Sequence, residues 1–438
     1  MKLIKKFNFL LIMAFIINIF IFMFANLSLK ADAASYNPNL TLTGKNVYLY
    51  NQESNLGVFE QNADEKFDPI GITQVVTAIL AIEKTDIDTE KATAKAFIFD
   101  DLFGFDFPTA DVRRGETLTI RELLACMQLQ CSYEAAAIIA DYISDGSYAY
   151  FAEMMNKKTK EIGCENTNFV NPFGKPDANQ YTTAKDMVKI FKYAMSLPTF
   201  AEMSLKNRYT IEANNVHDQS RLLVATNKMI DPSASSEYYY DKCIGGKTAG
   251  LMSTGRNGVF AATFNGLTYY CAVGLSPVRD DNGEYISKNG VITDAKALFK
   301  WAFNSFEVKN LLDEESPCGQ VKLNLSSKKD FILVYPQDKF TSLVFKEVNE
   351  TSVLLEKELP ESVDAPIKVG QVIGKAKIIL AGEIIGEIPL IAKEEIDYNV
   401  VLFVGKIVKD IFSSPWTIII SIILCLAIIS YIVYAIIQ

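Results

Sequence analysis

The stretch FDPIGITQVVTAILAIEKT, Phe67 to Thr85, has the form of a helix entrance suited to chemistry, without the side chains that would perform it. Backbone N–H groups and the helix dipole favour negative charge developing at such an entrance. Positions 71 and 74 share one face there, and what stands on it is Gly71 and Gln74. Glycine has no side chain, and an amide takes up no proton near neutral pH, so neither residue supplies a nucleophile or a base. GGKTAG sets Lys247 beside Thr248, which reads as an exposed polar pair at a strand edge. His217 is the single histidine and lies in the polar run ANNVHDQS, so it reads as a surface residue; any Ser-His-Asp or His-rich metal chemistry would depend on it alone. The seven cysteines, at 126, 131, 164, 243, 271, 318 and 425, form no CxxC and no paired spacing. They signal neither a zinc site nor a disulfide framework, and no cofactor is implied.

Positioning these residues requires elements. Ile72, Val75, Val76, Ile79 and Leu80 recur at helical spacing, which predicts a helix with one buried face. Pro69 precedes it, where a missing N–H costs nothing. Thr119 with Glu122 three residues on forms a capping box ahead of one helix, and after the break CSY a second helix follows in EAAAIIADYI. VFAATF-NG-LTYYCAVGL, residues 259 to 275, predicts a hairpin, because Asn-Gly supplies the backbone of a tight turn between apolar strands. Helical stretches alternate with strands to about residue 305. From 306 to 398 short β-branched runs such as FILVYP and AKIILAGEII read as a small all-β module.

Both ends of the chain are apolar. Residues 1 to 33 open with lysines, continue with an apolar run and close on Ala31-Asp32-Ala33, the pattern of a secretory signal or, given the length of the run, an N-terminal anchor. Residues 399 to 415 read as an amphipathic stem. Trp416 to Ile437 carries no charge, which predicts a transmembrane helix over 415–437 with the body on the extracytoplasmic face of a cell membrane. The 438 residues hold 43 Lys+Arg against 52 Asp+Glu, a net charge of -9. Because residues 1 to 33 are basic, the body is more acidic still, which argues against nucleic acid or anionic lipid as its main partner.

Several of these stretches, in their order, resemble one family, the serine D-alanyl-D-alanine carboxypeptidases, which are low-molecular-weight penicillin-binding proteins of the S11 type. VYLYNQESNLGVFEQNADEKFDPIGITQ, LTIRELLACMQLQCSYEAAAIIADYISDGS, TNFVNPFGKPDANQYTTAKDM and CIGGKTAGLMSTG carry the likeness, which covers nearly the whole exported body. The resemblance implies an α/β fold: a β-lactamase/transpeptidase-like domain, a sheet flanked by helices, over 36–305. A small all-β domain over 306–398 and the C-terminal transmembrane helix would follow. That family works with three motifs, SxxK on a helix start, SxN on a loop and KTG on a strand. A serine attacks the peptide carbonyl, a lysine takes its proton, and the KTG strand grips the substrate's terminal carboxylate and backbone. Carried over position by position, Gly71 and Gln74 stand for the serine and lysine of the first motif. Cys131 and Tyr133 stand for the serine and asparagine of the second, with Ser132 between them. Lys247 and Thr248 survive from the third as substrate-binding residues, followed by Ala249 where the family has glycine. Phe173 stands in NPFG where the family most often has histidine.

Losing a nucleophile together with its base removes several powers of ten in rate. The resemblance therefore implies a membrane-tethered, extracytoplasmic homologue that is catalytically inactive, with a binding or scaffolding role in peptidoglycan metabolism. Its implied ligand is a peptidoglycan stem peptide ending in D-Ala-D-Ala. Two other readings stand beside this one. In the first, the chain is an active carboxypeptidase using an atypical nucleophile, with Cys131 ahead of Thr73, which should point to a different side of its helix. In the second, the chain is a structural module whose partner is a protein that the sequence does not name.

Overall fold

The computed structural model describes residues 38–437, so the signal or anchor expected over 1–33 lies outside the described residues. Two compact units divide the described chain, one ending at Phe306 and the other beginning at Glu307.

In the first unit, β1 (Asn46–Asn51) and β2 (Leu56–Gln61) form a hairpin, and a 3-10 turn at Ile70–Thr73 leads into α1 (Gln74–Lys84). Next come β3 (Lys91–Thr93), α2 (Ala96–Leu102), β4 (Thr117–Thr119), α3 (Ile120–Gln130), α4 (Tyr133–Ile143), α5 (Tyr148–Ile162), α6 (Ala184–Met195) and α7 (Pro198–Leu205). The unit closes with β5 (Arg208–Ile211), β6 (Arg221–Val224), β7 (Cys243–Leu251), β8 (Gly255–Phe264), β9 (Leu267–Ser276) and α8 (Gly290–Ser305). Five strands make one antiparallel sheet in the order β2-β1-β9-β8-β7. Helices α6, α7 and α8 pack on its strands. β8 is buried from Gly255 to Ala262, Arg256 and Asn257 included. The Asn265-Gly266 turn between β8 and β9 has φ of +50° and +77°, as a tight hairpin turn demands. β7 is an edge strand, and its register sets Lys247 opposite Val259 and Thr248 opposite Gly258.

The helical side is where sequence and structure part. The capping box at Thr119 and Glu122 forms, with Thr119 N donating to Glu122 Oε2 at 2.8 Å and Glu122 N to Thr119 Oγ1 at 3.2 Å. Helix α1, however, has no single buried face: Gln74 and Thr77 are as buried as Val75 and Ile79. α1 packs against α3, α4, α5, α6 and α7, and its polar side chains find backbone carbonyls in place of water.

In the second unit, β10 (Phe306–Leu312) pairs with β13 (Phe340–Phe345), each lying outside the larger sheet. That sheet joins β11 (Gly319–Asn324), β12 (Phe331–Pro336), β14 (Val353–Glu358), β15 (Ser362–Asp364), β16 (Val372–Leu380) and β17 (Glu383–Ala392) in the order β14-β16-β17-β12-β11-β15. Val321, Ile332, Val334, Ile378 and Leu390 are among the residues of its own core. Two helices follow, α9 (Val400–Ser413) and α10 (Pro415–Ile437), the second with no charged residue in 23. Among residues with described side chains, which in α10 run from Ile419 to Val433, no helix is long and apolar enough to cross a membrane. All seven cysteines are free thiols.

Candidate active site

Gly71 sits where the turn before α1 meets β7 and the α3–α4 connection. Asp68 Oδ1 accepts the N–H of Ile70 at 2.8 Å, and the Asp68 carbonyl accepts Asn257 Nδ2 at 2.8 Å, so the turn is tied to β8. Ile70 has φ +43°, a left-handed backbone that a β-branched side chain rarely adopts and that stores strain of order 1–3 kcal/mol. Gly174, from the NPFG segment, passes over this turn with φ +96°, and a Cβ there would lie 2.1 Å from the Ile70 carbonyl oxygen. Only glycine fits that crossing.

Around Gly71 the three walls close on one another. A Cβ at residue 71 would stand 2.3 Å from Cys131 Sγ, 3.1 Å from Ala249 Cβ and 3.4 Å from Tyr133 Cε1. The space that a side-chain nucleophile would need is filled by the thiol. Cys131 ends α3 in the left-handed conformation, φ +59°, with its N–H on the Met127 carbonyl at 3.0 Å. Ser132 is committed to capping α4, its Oγ accepting Ala135 N at 3.1 Å.

Gln74 lies at the base of this packing and is fully buried. Its Nε2 donates to the carbonyls of Cys131 at 3.2 Å, Ser132 at 3.4 Å and Phe173 at 3.1 Å, while its Oε1 is buried without a protein partner. Thr77 Oγ1 adds a bond to the Pro172 carbonyl at 2.6 Å. The first turns of α1 therefore fasten the α3–α4 connection and the NPFG loop together. The amide does this with two N–H bonds and takes no proton. Thr73 is buried, with its hydroxyl unpartnered.

Tyr133 fills the remaining opening. Its hydroxyl donates to the Gly174 carbonyl at 2.9 Å, and its ring lies 5.9 Å from Phe107, 6.2 Å from Phe105 and 6.1 Å from Phe173. Phe105 and Phe107 come from the loop after α2, which is held by Glu134. That carboxylate accepts Thr109 Oγ1 at 2.5 Å and Ala110 N at 2.8 Å, and Tyr133 N donates to the Pro108 carbonyl at 3.1 Å. Burial pushes the Glu134 carboxyl upward more than these bonds hold it down. The sequence reading missed both phenylalanines; the alternation FGFDFP was the available signal for side chains turned to one side.

Lys247 does not stand exposed at its strand edge. It is fully buried and donates to the Met127 carbonyl. Burial pulls Lys247 below the usual lysine range and pushes Cys131 above the usual thiol range, with each partly offsetting the other's shift. Thr248 is buried too, its hydroxyl 2.8 Å from that of Thr226. Beside this packed centre is a cavity of about 320 Å³ lined by Phe107, Pro108, Gly250, Arg256 and Tyr285. Arg256 donates to the carbonyls of Pro277, Ile286 and Lys288.

His217 is not a surface residue. Its side chain is 10% exposed, with Nε2 2.9 Å from the Asp111 carbonyl oxygen and 3.3 Å from Glu116 Oε2. The buried Glu116, which also pairs with Arg221 at 2.7 Å, draws it in. Among the described residues no cluster of His, Cys, Asp and Glu is placed to hold a metal ion.

The geometry can be set beside known proteins. The family model described as D-alanyl-D-alanine carboxypeptidase matches residues 32–265, and that of the penicillin-binding protein 5 C-terminal domain matches residues 306–398. The chain is similar to the D-alanyl-D-alanine carboxypeptidase DacF of Bacillus subtilis, 24% identical over 387 residues that cover 88% of this chain and 94% of the relative. It is also similar to DacC of Escherichia coli, 23% identical over 86% of this chain and 90% of that one. In fold it matches the crystal structure of DacD from Francisella tularensis, with TM-score 0.63, 19% identity and coverage of 85% of this chain and 98% of that one. Penicillin-binding protein 5 from Haemophilus influenzae follows at TM-score 0.58 and 22% identity, covering 82% and 98%.

Proposed function

Since the chain belongs to the D-alanyl-D-alanine carboxypeptidase family, whose model covers its residues 32–265, we propose that it is a member that has given up acylation and kept the fold. On this reading it is a membrane-tethered, extracytoplasmic protein that serves peptidoglycan metabolism by scaffolding, or by binding stem peptides ending in D-Ala-D-Ala, without turning them over. The observation that carries the proposal is the 2.3 Å between Cys131 Sγ and the place of a Cβ at residue 71. A nucleophile there is missing and the room for one is occupied. Gln74 supports the same reading, because it uses its amide to tie three carbonyls where the family resemblance places a base. The uncharged helix Pro415–Ile437, preceded by α9, none of whose apolar residues is buried, supports the tether.

Fluorescent penicillin decides the catalytic half of the proposal. Incubation of the full chain at high concentration should leave no adduct that survives denaturation, and a stable covalent adduct would overturn it.

One observation favours a second reading: the thiol stands at the missing nucleophile's place, and Lys247 partly offsets the rise that burial imposes on it. A working cysteine hydrolase would release D-alanine from a pentapeptide and lose that release on Cys131→Ala. Burial, which raises the thiol and leaves Cys131 only 2% exposed, weighs against it.

A further inference from the structure

Tyr50 and Tyr270 are paired directly by the register of β1 and β9, so their rings share one face of the sheet, the face that α6 covers. Lys192, in the last turn of α6, donates from Nζ to the Tyr50 hydroxyl at 2.9 Å and lies 4.8 Å from the centre of that ring. Tyr50 gives its own proton to Asn55 Oδ1 at 2.6 Å. Two N–H groups of the Lys192 ammonium are left over, and among the described residues no carboxylate pairs with it. Tyr270 is 5% exposed, and among the described residues its hydroxyl has no hydrogen-bond partner. Lys192 and Tyr270 line the same cavity, of about 740 Å³, together with apolar Ile162 and Met195. It shares no lining residue with the cavity beside Gly250. A cation in the last turn of α6 complements the helix dipole whether or not anything binds. That does not account for a buried phenol left without a partner at the same cavity.

We propose that this cavity is a second ligand site of the first unit, which takes a singly charged organic carboxylate with an apolar body. The carboxylate accepts from Lys192 Nζ and from the Tyr270 hydroxyl, and the body lies on Ile162 and Met195. Burial, reinforced by Glu53 and Tyr50, pushes the Tyr270 hydroxyl above the ordinary tyrosine range, so at neutral pH it stays a donor. The charge of the ligand follows from what the other lysines of the cavity already hold. Lys158 pairs with Glu83 at 2.8 Å and Glu161 at 3.2 Å, while Lys189 pairs with Asp186 at 3.1 Å and caps the Gly163 carbonyl at 2.8 Å. Lys192 is thus the cation with charge to spare. Ile162 and Met195 are the last residues of α5 and α6, so two helix C-termini turn their negative ends to the cavity. One spare cation between two such ends suits a carboxylate and disfavours a phosphate dianion. A volume of this size holds a small organic molecule. The site does not depend on whether a stem peptide binds near Gly71.

The test uses the full chain, solubilised in detergent, and the photoreactive carboxylate 4-benzoylbenzoate, with its neutral amide as the control. After irradiation the adducts are mapped by mass spectrometry. The acid should label Met195 or Ile162, and the amide should label them about tenfold less. Excess phenylacetate should suppress the labelling, whereas phenylacetamide and phenyl phosphate should not. Lys192→Gln should lower it about tenfold and Tyr270→Phe about threefold to tenfold, while Lys189→Gln leaves it within about twofold. The comparison of acid with amide needs only wild-type protein, so it stands even if a variant does not fold. Equal labelling by acid and amide, labelling unchanged in Lys192→Gln, adducts confined to other residues, or no adduct would each overturn the site. Suppression by phenyl phosphate as strong as by phenylacetate would overturn the assignment to a carboxylate.

Discussion

Restoring serine at position 71 is the obvious way to ask whether the site is only one residue short, and the packing says that the change fails. The new Cβ would lie 2.3 Å from Cys131 Sγ, whereas unbonded heavy atoms settle at roughly 3.5–4 Å. More than an ångström must come from somewhere. Ala249 Cβ at 3.1 Å and Tyr133 Cε1 at 3.4 Å close the other directions, and Cys131 is held in a left-handed cap that limits its retreat. Overpacking of this kind costs about 1–3 kcal/mol. Cys131→Ala removes only the sulfur and leaves a small void, a loss of about 1 kcal/mol. In the double variant Gly71→Ser/Cys131→Ala the serine takes the vacated space, so the two losses should not add. Urea unfolding of the four proteins gives the coupling directly, with an expected favourable interaction of about 1–3 kcal/mol. Fluorescent penicillin should label none of them, because Gln74 still supplies no base. A Gly71→Ser protein within about 0.5 kcal/mol of wild type, additive with Cys131→Ala, would refute the claim that the thiol fills the nucleophile's place.

Three more outcomes follow from the same geometry. Tyr133→Phe should cost about 0.5–1.5 kcal/mol through the hydrogen bond to Gly174, and Tyr133→Ala about 3–5 kcal/mol by emptying the aromatic stack; equal losses in denaturant titrations would show that the ring does not close the site. Because burial raises the Glu134 carboxyl in the folded state, the unfolded chain releases that proton first. Stability therefore falls as pH climbs from the ordinary glutamate range to the raised folded value, and Glu134→Gln should flatten that part of a Tm–pH profile; an unchanged slope contradicts the assignment. Removing residues 415–437 should move the protein from the membrane to the soluble fraction, and persistence of the shortened chain in washed membranes would count against α10 as the tether.

Local signals in the sequence were reliable where a few neighbouring residues decide the outcome. Asn265-Gly266 dictates its turn through backbone angles that few other residues reach, and Thr119 with Glu122 closes a cap within four residues. The absence of a nucleophile at Gly71 and of a base at Gln74 is likewise a matter of residue type alone. What the sequence left hidden depends on partners far along the chain. Periodicity assigned α1 a polar face, but Gln74 reaches carbonyls 57, 58 and 99 residues away and is buried by doing so. Lys247 looked like a solvent-facing cation because nothing nearby predicts that Met127, 120 residues earlier, turns its carbonyl toward it. His217 was misplaced for the same reason, since the buried Glu116 that holds it lies across a long connection.

The mutual exclusion of side chains at 71 and 131 also bears on history. On the proposed reading the lineage has left hydrolysis behind, and the packing around residue 71 now constrains the way back. The return journey has a compulsory order: residue 131 must shrink, at a cost in stability and with no activity to reward it, before a hydroxyl can be accommodated at 71, and only afterwards would a base at 74 have anything to deprotonate. Selection acting on single steps meets a loss at the first of these. If acylation has been given up as proposed, the thiol of Cys131 works as a ratchet tooth that makes the loss hard to reverse.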